Sequence, residues 1–344
     1  MREAEFLKKN VERWNTYQHT TPDGPDETAD RFVNLLDDLS YSRTFYPHSN
    51  ATSWINGMAA GIYQQIYQNR RQSLKEIGRF WKYELPLLFR KYHKILLFTT
   101  LLFILFVAMA ILSSVLDPDY AKSYFDHKVQ QGYYDMTIDN IHNGDPFGVY
   151  KDRNPFSAFV RIAYNNIRVA FTTVLLGLTF GVGTFWMLWT NGFMLGCFQF
   201  IFFSQGLGWE SVLVIWIHGT IEISSIVIAG AAGFILGKSL LFPGTFSRKA
   251  SFRTGVRDAI NICLALVPFF IVAAFFESYV THLMSRTFEK NTTNIGLPVP
   301  VSILILAASL ALMLWYFVFY PIRLEKQGFQ MKGKVLFKNG SRYE

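Results

Sequence analysis

The chain has 344 residues, of which 51% are hydrophobic, 17% aromatic and only 17% charged. This composition is too apolar for a typical water-soluble protein, and it excludes an intrinsically disordered one. The formal net charge of +8 could indicate nucleic-acid binding, but the basic residues flank the longest apolar stretches, as in membrane proteins. We therefore expect an integral membrane protein that contacts membrane lipid and has no nucleic-acid partner.

The two cysteines, Cys197 and Cys263, both lie inside apolar runs. The sequence therefore predicts neither a disulfide framework nor a thiolate metal cluster. The first 94 residues are polar and amphipathic, so we expect no secretory signal and a soluble N-terminal part.

Residues 1–72 are predicted to form a small cytoplasmic helical domain. Apolar residues recur at helical spacing in 1–20, 28–46 and 53–69, and proline and glycine interrupt the pattern between these stretches. The domain carries more aromatic residues than its core needs, which predicts a protein-binding surface. These residues are Trp14, Tyr17, Tyr41, Phe45, Trp54, Tyr63 and Tyr67.

Residues 73–94 mix apolar, aromatic and basic side chains immediately before the first long apolar run. This mixture is typical of an amphipathic helix that lies in the lipid headgroup layer. The alternative is a cytosolic helix that packs on the N-terminal domain.

Residues 95–322 are predicted to form an all-α membrane domain of about six transmembrane helices, because a span needs about 20 apolar residues. The run from Val169 to Trp209 has no charge and is too long for one crossing, and Thr190-Asn191-Gly192 in its middle reads as a turn. A re-entrant hairpin over 192–208 stays open as an alternative. The other predicted spans are 95–116, 211–237, 259–279 and 298–320, and 117–168 is expected to be an ordered external segment that ends in a surface helix from Pro155 to Arg168.

Basic residues predict the orientation of these spans. Of the 33 Lys and Arg residues, 14 precede the first span, five lie in 238–257 and six lie in a basic tail, residues 323–344. Basic flanks are retained in the cytoplasm, so both termini are predicted to be cytoplasmic.

His218 and Glu222 are the deepest ionisable residues of the predicted spans, and their spacing of four places them on one helix face. Burial of either group requires a partner. One interpretation is a proton or ion relay, and the other is an interhelical hydrogen-bond lock with Asn165, Asn166 or Asn191.

Two segments resemble known catalytic motifs but lack residues that those motifs require. The segment His218–Glu222 lacks the residue order of a zinc protease. The pair would need a third ligand for a catalytic zinc site, and His282 is expected to lie outside the bilayer. Ala232–Ser239 ends in Gly-Lys-Ser but lacks the first glycine of a phosphate-binding loop. We therefore predict no catalytic residue, no metal site and no cofactor.

Pairs of glycines four residues apart predict close helix packing in the second, third and fourth spans. The pairs are Gly177 with Gly181, Gly192 with Gly196, and Gly233 with Gly237.

Several short segments, taken in order, carry a family resemblance. The N-terminal segments are Leu36–Pro47, Ile55–Gly57 and Ile66–Tyr67, and the membrane segments are Asn165–Arg168, Thr190–Gly192, His218–Glu222 and Ala229–Gly233. Together they resemble the stage II sporulation protein M family, and this chain is similar to its larger members that are not of the sporulation type. The resemblance implies a polytopic protein of the bacterial inner membrane, whose sporulation member anchors cell-wall hydrolases. For the larger members it also implies a gene neighbourhood with a chaperone-like ATPase and a second polytopic protein.

We expect a non-enzymatic membrane scaffold in an envelope complex. The alternatives are the permease subunit of an exporter-type ATP-dependent transporter with a separate ATPase, and a proton-linked transporter that uses His218 and Glu222. The sequence does not identify the partner or any substrate. It also leaves the oligomeric state open, and a homo-oligomer is one of the possibilities.

Overall fold

A computed structural model describes residues 2–67, 74–150, 154–289, 296–332 and 335–343. Residues 1–77 and 78–344 form two compact units. The described residues contain twelve helices and one small sheet, so the predicted all-α polytopic class is confirmed.

Residues 2–67 of the first unit form three helices, α1 (Glu3–His19), α2 (Pro25–Phe45) and α3 (Asn50–Tyr67). Trp14, Leu35 and Ile55, one from each helix, are fully buried and form its core. Asp38 joins α2 to α1, because its carboxylate accepts a hydrogen bond from the Trp14 indole at 2.8 Å. Trp14 was predicted to belong to a protein-binding surface, but it is a core residue. The side chain of Tyr67, predicted for the same surface, lies outside the described residues.

Helix α4 comprises residues 74–91, with a π-helical turn at Phe80–Glu84. Its apolar side packs on protein: the Trp81 ring lies 6.3 Å from the rings of Phe269 and Tyr316, and the Phe89 ring lies 4.7 Å from that of Phe317. Residue 73 lies outside the described residues, and the predicted position of this helix in the headgroup layer stays a prediction.

In the part of the chain that the structure describes, five helices are long and apolar enough to cross a membrane. They are α5 (His93–Leu116), α9 (Val182–Ser204), α10 (Gly208–Leu241), α11 (Arg248–Thr287) and α12 (Val299–Lys326). Three shorter helices lie between α5 and α9, namely α6 (Asp119–Lys128), α7 (Tyr133–His142) and α8 (Pro155–Leu175), with a 3-10 turn at Gly148–Tyr150. Helix α8 carries Arg161 and Arg168 and is not among the apolar five.

The contacts between these helices give their directions. Gly192 of α9 lies against Phe106 of α5, and Gly196, one turn later, lies against Ala110, so α5 and α9 run in the same direction. The chain must therefore return across the bundle between them, and α8 is the helix that returns. It runs alongside α10, because Gly177, just after its end, lies against Gly233.

The bundle thus contains six helices of alternating direction, α5, α8, α9, α10, α11 and α12. We call the face where α5 begins and α10 connects to α11 the proximal face, and the opposite face the distal face. Five of these six helices are long and apolar enough to cross a membrane, and the predicted number of about six crossings stays a prediction.

The predicted turn at Thr190-Asn191-Gly192 is wrong, because these residues lie within α9. The Asn191 amide donates a hydrogen bond to the Met187 carbonyl at 2.7 Å, which satisfies it within the helix. Gly192 allows close approach to α5, since a Cβ at this position would lie 2.8 Å from that of Phe106. The actual turn is at 176–181 and ends on Gly181, whose φ of 87° favours glycine.

Two further boundaries differ from the prediction. The expected surface helix 155–168 and the span after it form the single helix α8, capped by the Asn154 side chain. Residues 117–150, expected to be an external segment, pack along the bundle, and their position outside the membrane stays a prediction. The Tyr124 hydroxyl donates to the Thr190 carbonyl at 2.8 Å, halfway along α9, and burial raises the pKa of Tyr124 to about 12.

The predicted basic tail is also folded. Helix α12 continues to Lys326, and an antiparallel sheet follows in the order β1 (Phe329–Lys332), β2 (Val335–Lys338) and β3 (Ser341–Arg342). The sheet packs on α4, because the Tyr83 ring lies 5.0 Å from that of Phe329. Arg90 of α4 also forms an ion pair with Glu325 at 2.5 Å.

Candidate polar site in the bundle

A cluster of three ionisable side chains lies between α10 and α11. His218 and Glu222 project one helical turn apart from α10, and Glu277 projects from α11. One nitrogen or oxygen atom of each side chain lies within 4.8 Å of the others. His218 lies ten residues after the distal end of α10, about 15 Å along the helix axis.

His218 is held by contacts to its ring. Its Nδ1 atom lies 2.9 Å from the Thr281 hydroxyl, and its Nε2 atom lies 4.0 Å from a carboxylate oxygen of Glu277. The Tyr150 ring packs against the imidazole at a centroid distance of 5.6 Å. The imidazole is buried, so these contacts determine which ring nitrogen faces the two carboxyl groups.

Helix α8 contributes two polar residues to the cluster. The amide nitrogen of buried Asn166 lies beside the Glu222 carboxyl group, although the geometry falls short of a regular hydrogen bond and no described residue accepts from it. Arg161, about one and a half turns earlier, is close enough to Glu277 for electrostatic attraction. The three carboxyl and imidazole groups therefore share one nearby cation among the described residues.

Two tyrosines of the segment between α6 and α8 complete the surroundings. Burial, and then the nearby Glu277 carboxylate, raise the pKa of Tyr133 to about 12. Burial also raises the pKa of Tyr150 well above its ordinary value. Both phenols thus keep their protons at neutral pH and can act as hydrogen-bond donors.

Some of the residues predicted for this site belong to the cluster and others do not. His218, Glu222 and Asn166 lie together. Asn165 contacts Asn166, whose side-chain oxygen lies 3.5 Å from the Asn165 amide nitrogen. Asn191 bonds within its own helix and does not take part.

The structure places Glu277, which the sequence analysis did not consider as a ligand, beside His218 and Glu222. Sequence reasoning placed Glu277 at the end of a span, whereas α11 continues to Thr287 and places Glu277 ten residues inside the helix. The spacing of Glu277 and Thr281, one turn apart, was an available signal. Tyr150 had no such signal, because only the path of the chain brings it to His218.

A fully buried carboxylate outside the cluster lies toward the proximal face. Asp258 of α11 accepts hydrogen bonds from the Lys91 ammonium group at 2.7 Å and the Tyr92 hydroxyl at 2.9 Å. Arg257 contacts its other oxygen at 3.3 Å. Burial raises the pKa of Tyr92, which keeps its hydroxyl a donor. Two cations and one phenol compensate this single charge, so the group is a structural anchor between α11 and the start of α5.

The predicted packing glycines lie at close helix contacts. A Cβ at Gly177 would lie 2.2 Å from the Gly233 carbonyl oxygen, and one at Gly196 would lie 2.6 Å from the Val107 carbonyl oxygen. A Cβ at Gly237 would lie 2.8 Å from the Gly181 amide nitrogen. At these positions a side chain would force the helices apart.

Comparison with known proteins agrees with this architecture. The model of the stage II sporulation protein M family matches residues 96–282, which include the whole polar cluster, and a family described as a domain of unknown function (DUF8413) matches residues 4–68. An uncharacterized protein of Methanocaldococcus jannaschii is 31% identical over 126 residues, which are 36% of this chain and 70% of that protein. No solved structure matches the chain. The chain is therefore a multi-pass membrane protein of the stage II sporulation protein M family.

Proposed function

We propose that this protein is a non-enzymatic scaffold of a multi-protein envelope complex. It lies in the bacterial inner membrane with both termini in the cytoplasm. In this proposal the bundle is the anchor, and the helical unit of residues 2–67 holds a cytoplasmic partner. The partners that the family resemblance suggests are a chaperone-like ATPase and a second polytopic protein.

The close backbone contacts within the bundle are the observation that carries this proposal. At Gly177 the backbone lies directly against that of Gly233, and at Gly237 it lies directly against that of Gly181, so α10 meets the end of α8 and the turn before α9 without an intervening side chain. Among the described residues, one cavity of about 610 Å³ lies in the first unit, and one of about 220 Å³ lies between α10 and α12. His218, Glu222 and Glu277 line neither of these two cavities. A tightly packed bundle suits an anchor better than a permease.

The surface of the first unit supports a role in protein binding. Val33 and Leu36 of α2 are 55% and 43% exposed, and Tyr63 and Ile66 of α3 are 50% and 44% exposed. The Phe32 and Tyr63 rings lie 6.3 Å apart, so α2 and α3 meet beside these residues. An exposed apolar group of this kind on a small domain is typical of a protein-binding surface.

The test compares this surface with the basic connection between α10 and α11, where a transporter ATPase would bind. The full-length chain, produced at native level in its own host, is purified in mild detergent, and co-purifying proteins are quantified by mass spectrometry. Deletion of residues 2–72 is compared with replacement of Arg248, Lys249 and Arg253 by glutamine. Arg257 is kept, because it contacts Asp258.

Loss of partners on deletion, with recovery unchanged by the glutamine replacements, is the expected result. The opposite pattern contradicts the scaffold and favours the permease. The double variant Leu36→Ser with Tyr63→Ser should also reduce partner recovery, because it removes apolar groups from this surface. Its matched control is Phe246→Ser, at a 70% exposed residue of the α10–α11 connection.

Cysteine labelling tests the orientation. Cysteine at Ser123 should react with an impermeant reagent in spheroplasts, whereas cysteine at Ala250 or Ser341 should not. Ala250 is preferred to Ser251, whose hydroxyl donates to the Ser239 carbonyl. Thr292, which would also report the external side, lies outside the described residues. Labelling at Ala250 in intact spheroplasts would overturn the orientation.

A proton-linked transporter is the second candidate function, favoured by the polar cluster of α10 and α11. It requires that the cluster exchange protons with both sides of the membrane. Glu222→Gln should then abolish transport while the protein stays folded. A scaffold instead keeps its partners in this variant.

A further inference from the structure

We propose that His218, Glu222 and Glu277 bind one divalent transition-metal ion, and that zinc fits these donors best. This inference goes beyond the scaffold function and does not depend on it. The site joins α10 to α11 in the distal half of the bundle, where the two helices contribute both carboxylates and the imidazole.

The distances are close to those of a metal site. Ligands of a tetrahedral zinc ion lie about 2.0–2.2 Å from the metal and therefore about 3.3–3.6 Å from one another. The three candidate ligand atoms lie within 4.8 Å of one another, and His218 Nε2 is 4.0 Å from Glu277 Oε2. Small rotations of the two glutamate side chains would bring all three atoms to ligand distance.

The imidazole is oriented for ligation through Nε2. When Nδ1 carries the proton, it donates to the Thr281 hydroxyl at 2.9 Å, and the lone pair of Nε2 then faces the Glu277 carboxylate. Metal-binding histidines usually donate the hydrogen of their other ring nitrogen to a neighbouring group, which fixes the tautomer. Without a cation between them, the lone pair and the carboxylate oxygen would repel each other.

The charges of the cluster call for a cation. Two carboxylates and the imidazole lone pair converge in a site whose nearby cation among the described residues is Arg161. Both carboxyl groups are partly buried, with 20% of the Glu277 side chain exposed, and negative charges this close together are either protonated or paired. A divalent ion would balance both carboxylates at once, whereas protons would have to bind each one separately.

Asn166 is an independent observation at the same place. Its side chain is 6% exposed, and its amide nitrogen lies beside the Glu222 carboxyl group without a regular hydrogen bond among the described residues. Carboxylate ligands are commonly held by such hydrogen bonds from a neighbour. Movement of Glu222 toward a metal would allow this nitrogen to donate to it.

The donor set selects the metal. One imidazole and two carboxylates suit zinc and related divalent ions, whereas sites for calcium or magnesium use oxygen ligands alone. Three protein ligands also leave a position for water, as in open zinc sites. The thiols lie elsewhere: Cys197 lies 3.8 Å from the Ser114 hydroxyl, and Cys263 belongs to the core between α10 and α11.

Metal analysis of the purified full-length chain tests the proposal. The chain is produced with a tag that lacks histidine, and its metals are measured by inductively coupled plasma mass spectrometry after dialysis against a weak chelator. We expect about one zinc per chain, and loss of that zinc in both His218→Gln and Glu277→Gln. His282→Gln is the matched control, because His282 lies on α11 near the cluster and contacts Arg286.

A second pair of variants separates ligation from folding. Thr281→Val should weaken zinc binding by about tenfold to a hundredfold in a chelator competition, and Thr281→Ser should restore it. Each variant must remain monodisperse in size-exclusion chromatography. Cobalt added to the metal-free chain should give a visible absorption band that the His218 and Glu277 variants lack.

Two results would overturn the proposal. In the first, the wild-type chain holds no metal and gains no thermal stability from zinc. In the second, zinc binds equally to the wild type and to the double variant His218→Gln with Glu277→Gln. If the wild-type chain holds no metal but its stability depends on pH in a way that Glu277→Gln removes, the cluster binds protons instead.

Discussion

The two halves of α10 meet their neighbours in different ways. In residues 223–241, Gly233 and Gly237 lie against backbone atoms of α8 and of the turn before α9. In residues 208–222, polar side chains make the contacts, with Ser211 bonded to Gln199 at 2.5 Å and His218 bonded to Thr281. Gly219, in this half, would have no heavy atom nearer than 4.0 Å to an added Cβ.

One half of α10 therefore serves mainly to pack against its neighbours, and the other half carries the ionisable groups. In the proximal half, Gly233 and Gly237 leave no room for an added Cβ, and the nearby Asp258 carboxylate is compensated by two cations. In the distal half, Gly219 leaves room for a Cβ, and the two carboxyl groups have one nearby cation among the described residues. A site that binds an ion needs the second arrangement, because a fully compensated group has nothing further to bind.

Gly233→Ala should have the largest effect on the stability of the bundle. The added Cβ would lie 2.4 Å from the Thr184 hydroxyl and 2.8 Å from the Thr173 carbonyl oxygen, so α8 or α9 must move. We expect a loss of about 1–3 kcal/mol, the usual cost of overpacking. Thermal unfolding in mild detergent measures it.

Gly219→Ala on the same helix is the matched control. Because its Cβ meets no close atom, the variant should gain about 0.5–1 kcal/mol from the better helix propensity of alanine. Equal effects of the two variants would show that the halves of α10 do not differ in packing.

Asp258→Asn should have the next largest effect on the stability of the bundle. It removes the charge-assisted bonds from Lys91 and Arg257, whose side chains are 51% and 43% exposed. Since water can solvate both cations, we expect a loss of about 1–2 kcal/mol, less than for a fully buried pair. Chemical unfolding of the metal-free chain measures it, and Glu277→Gln, which relieves repulsion, should show no comparable loss.

Substitutions of Glu222 test whether the distal half needs a polar group or a charge. Glu222→Gln should leave the stability of the metal-free chain within about 0.5 kcal/mol of the wild type, because the amide can still form hydrogen bonds. Glu222→Leu should lose about 1 kcal/mol, because Asn166 then faces an apolar side chain. A loss in Glu222→Gln as large as in Glu222→Leu would mean that the charge itself stabilises the fold.

Tyr124→Phe should have the smallest effect. The variant removes the single hydrogen bond from the Tyr124 hydroxyl to the Thr190 carbonyl, for an expected loss of about 0.5–1 kcal/mol. The control is Tyr164→Phe on α8, at a side chain that is 68% exposed, and it should be neutral. Proteolysis of the segment 117–150 gives an independent measure of the same contact, and equal cleavage in both variants would contradict its role.

Several features of this protein follow from the sequence alone. The long apolar runs predict the membrane helices, because hydrocarbon excludes unpaired backbone groups and charges. Helical periodicity places His218 and Glu222 on one face, and this requires no knowledge of the neighbours. The spacing of Gly233 and Gly237 likewise indicates a face that other helices can approach closely.

Only the tertiary structure decided how these parts combine. Thr190-Asn191-Gly192 has the composition of a turn, but in the bundle the glycine lies against α5 and the amide bonds within its helix. Glu277 joins His218 because α11 runs antiparallel to α10 and continues past the expected end of its span. Direction, length and rotation of neighbouring helices determine such contacts, and these depend on packing between segments that are distant in the chain.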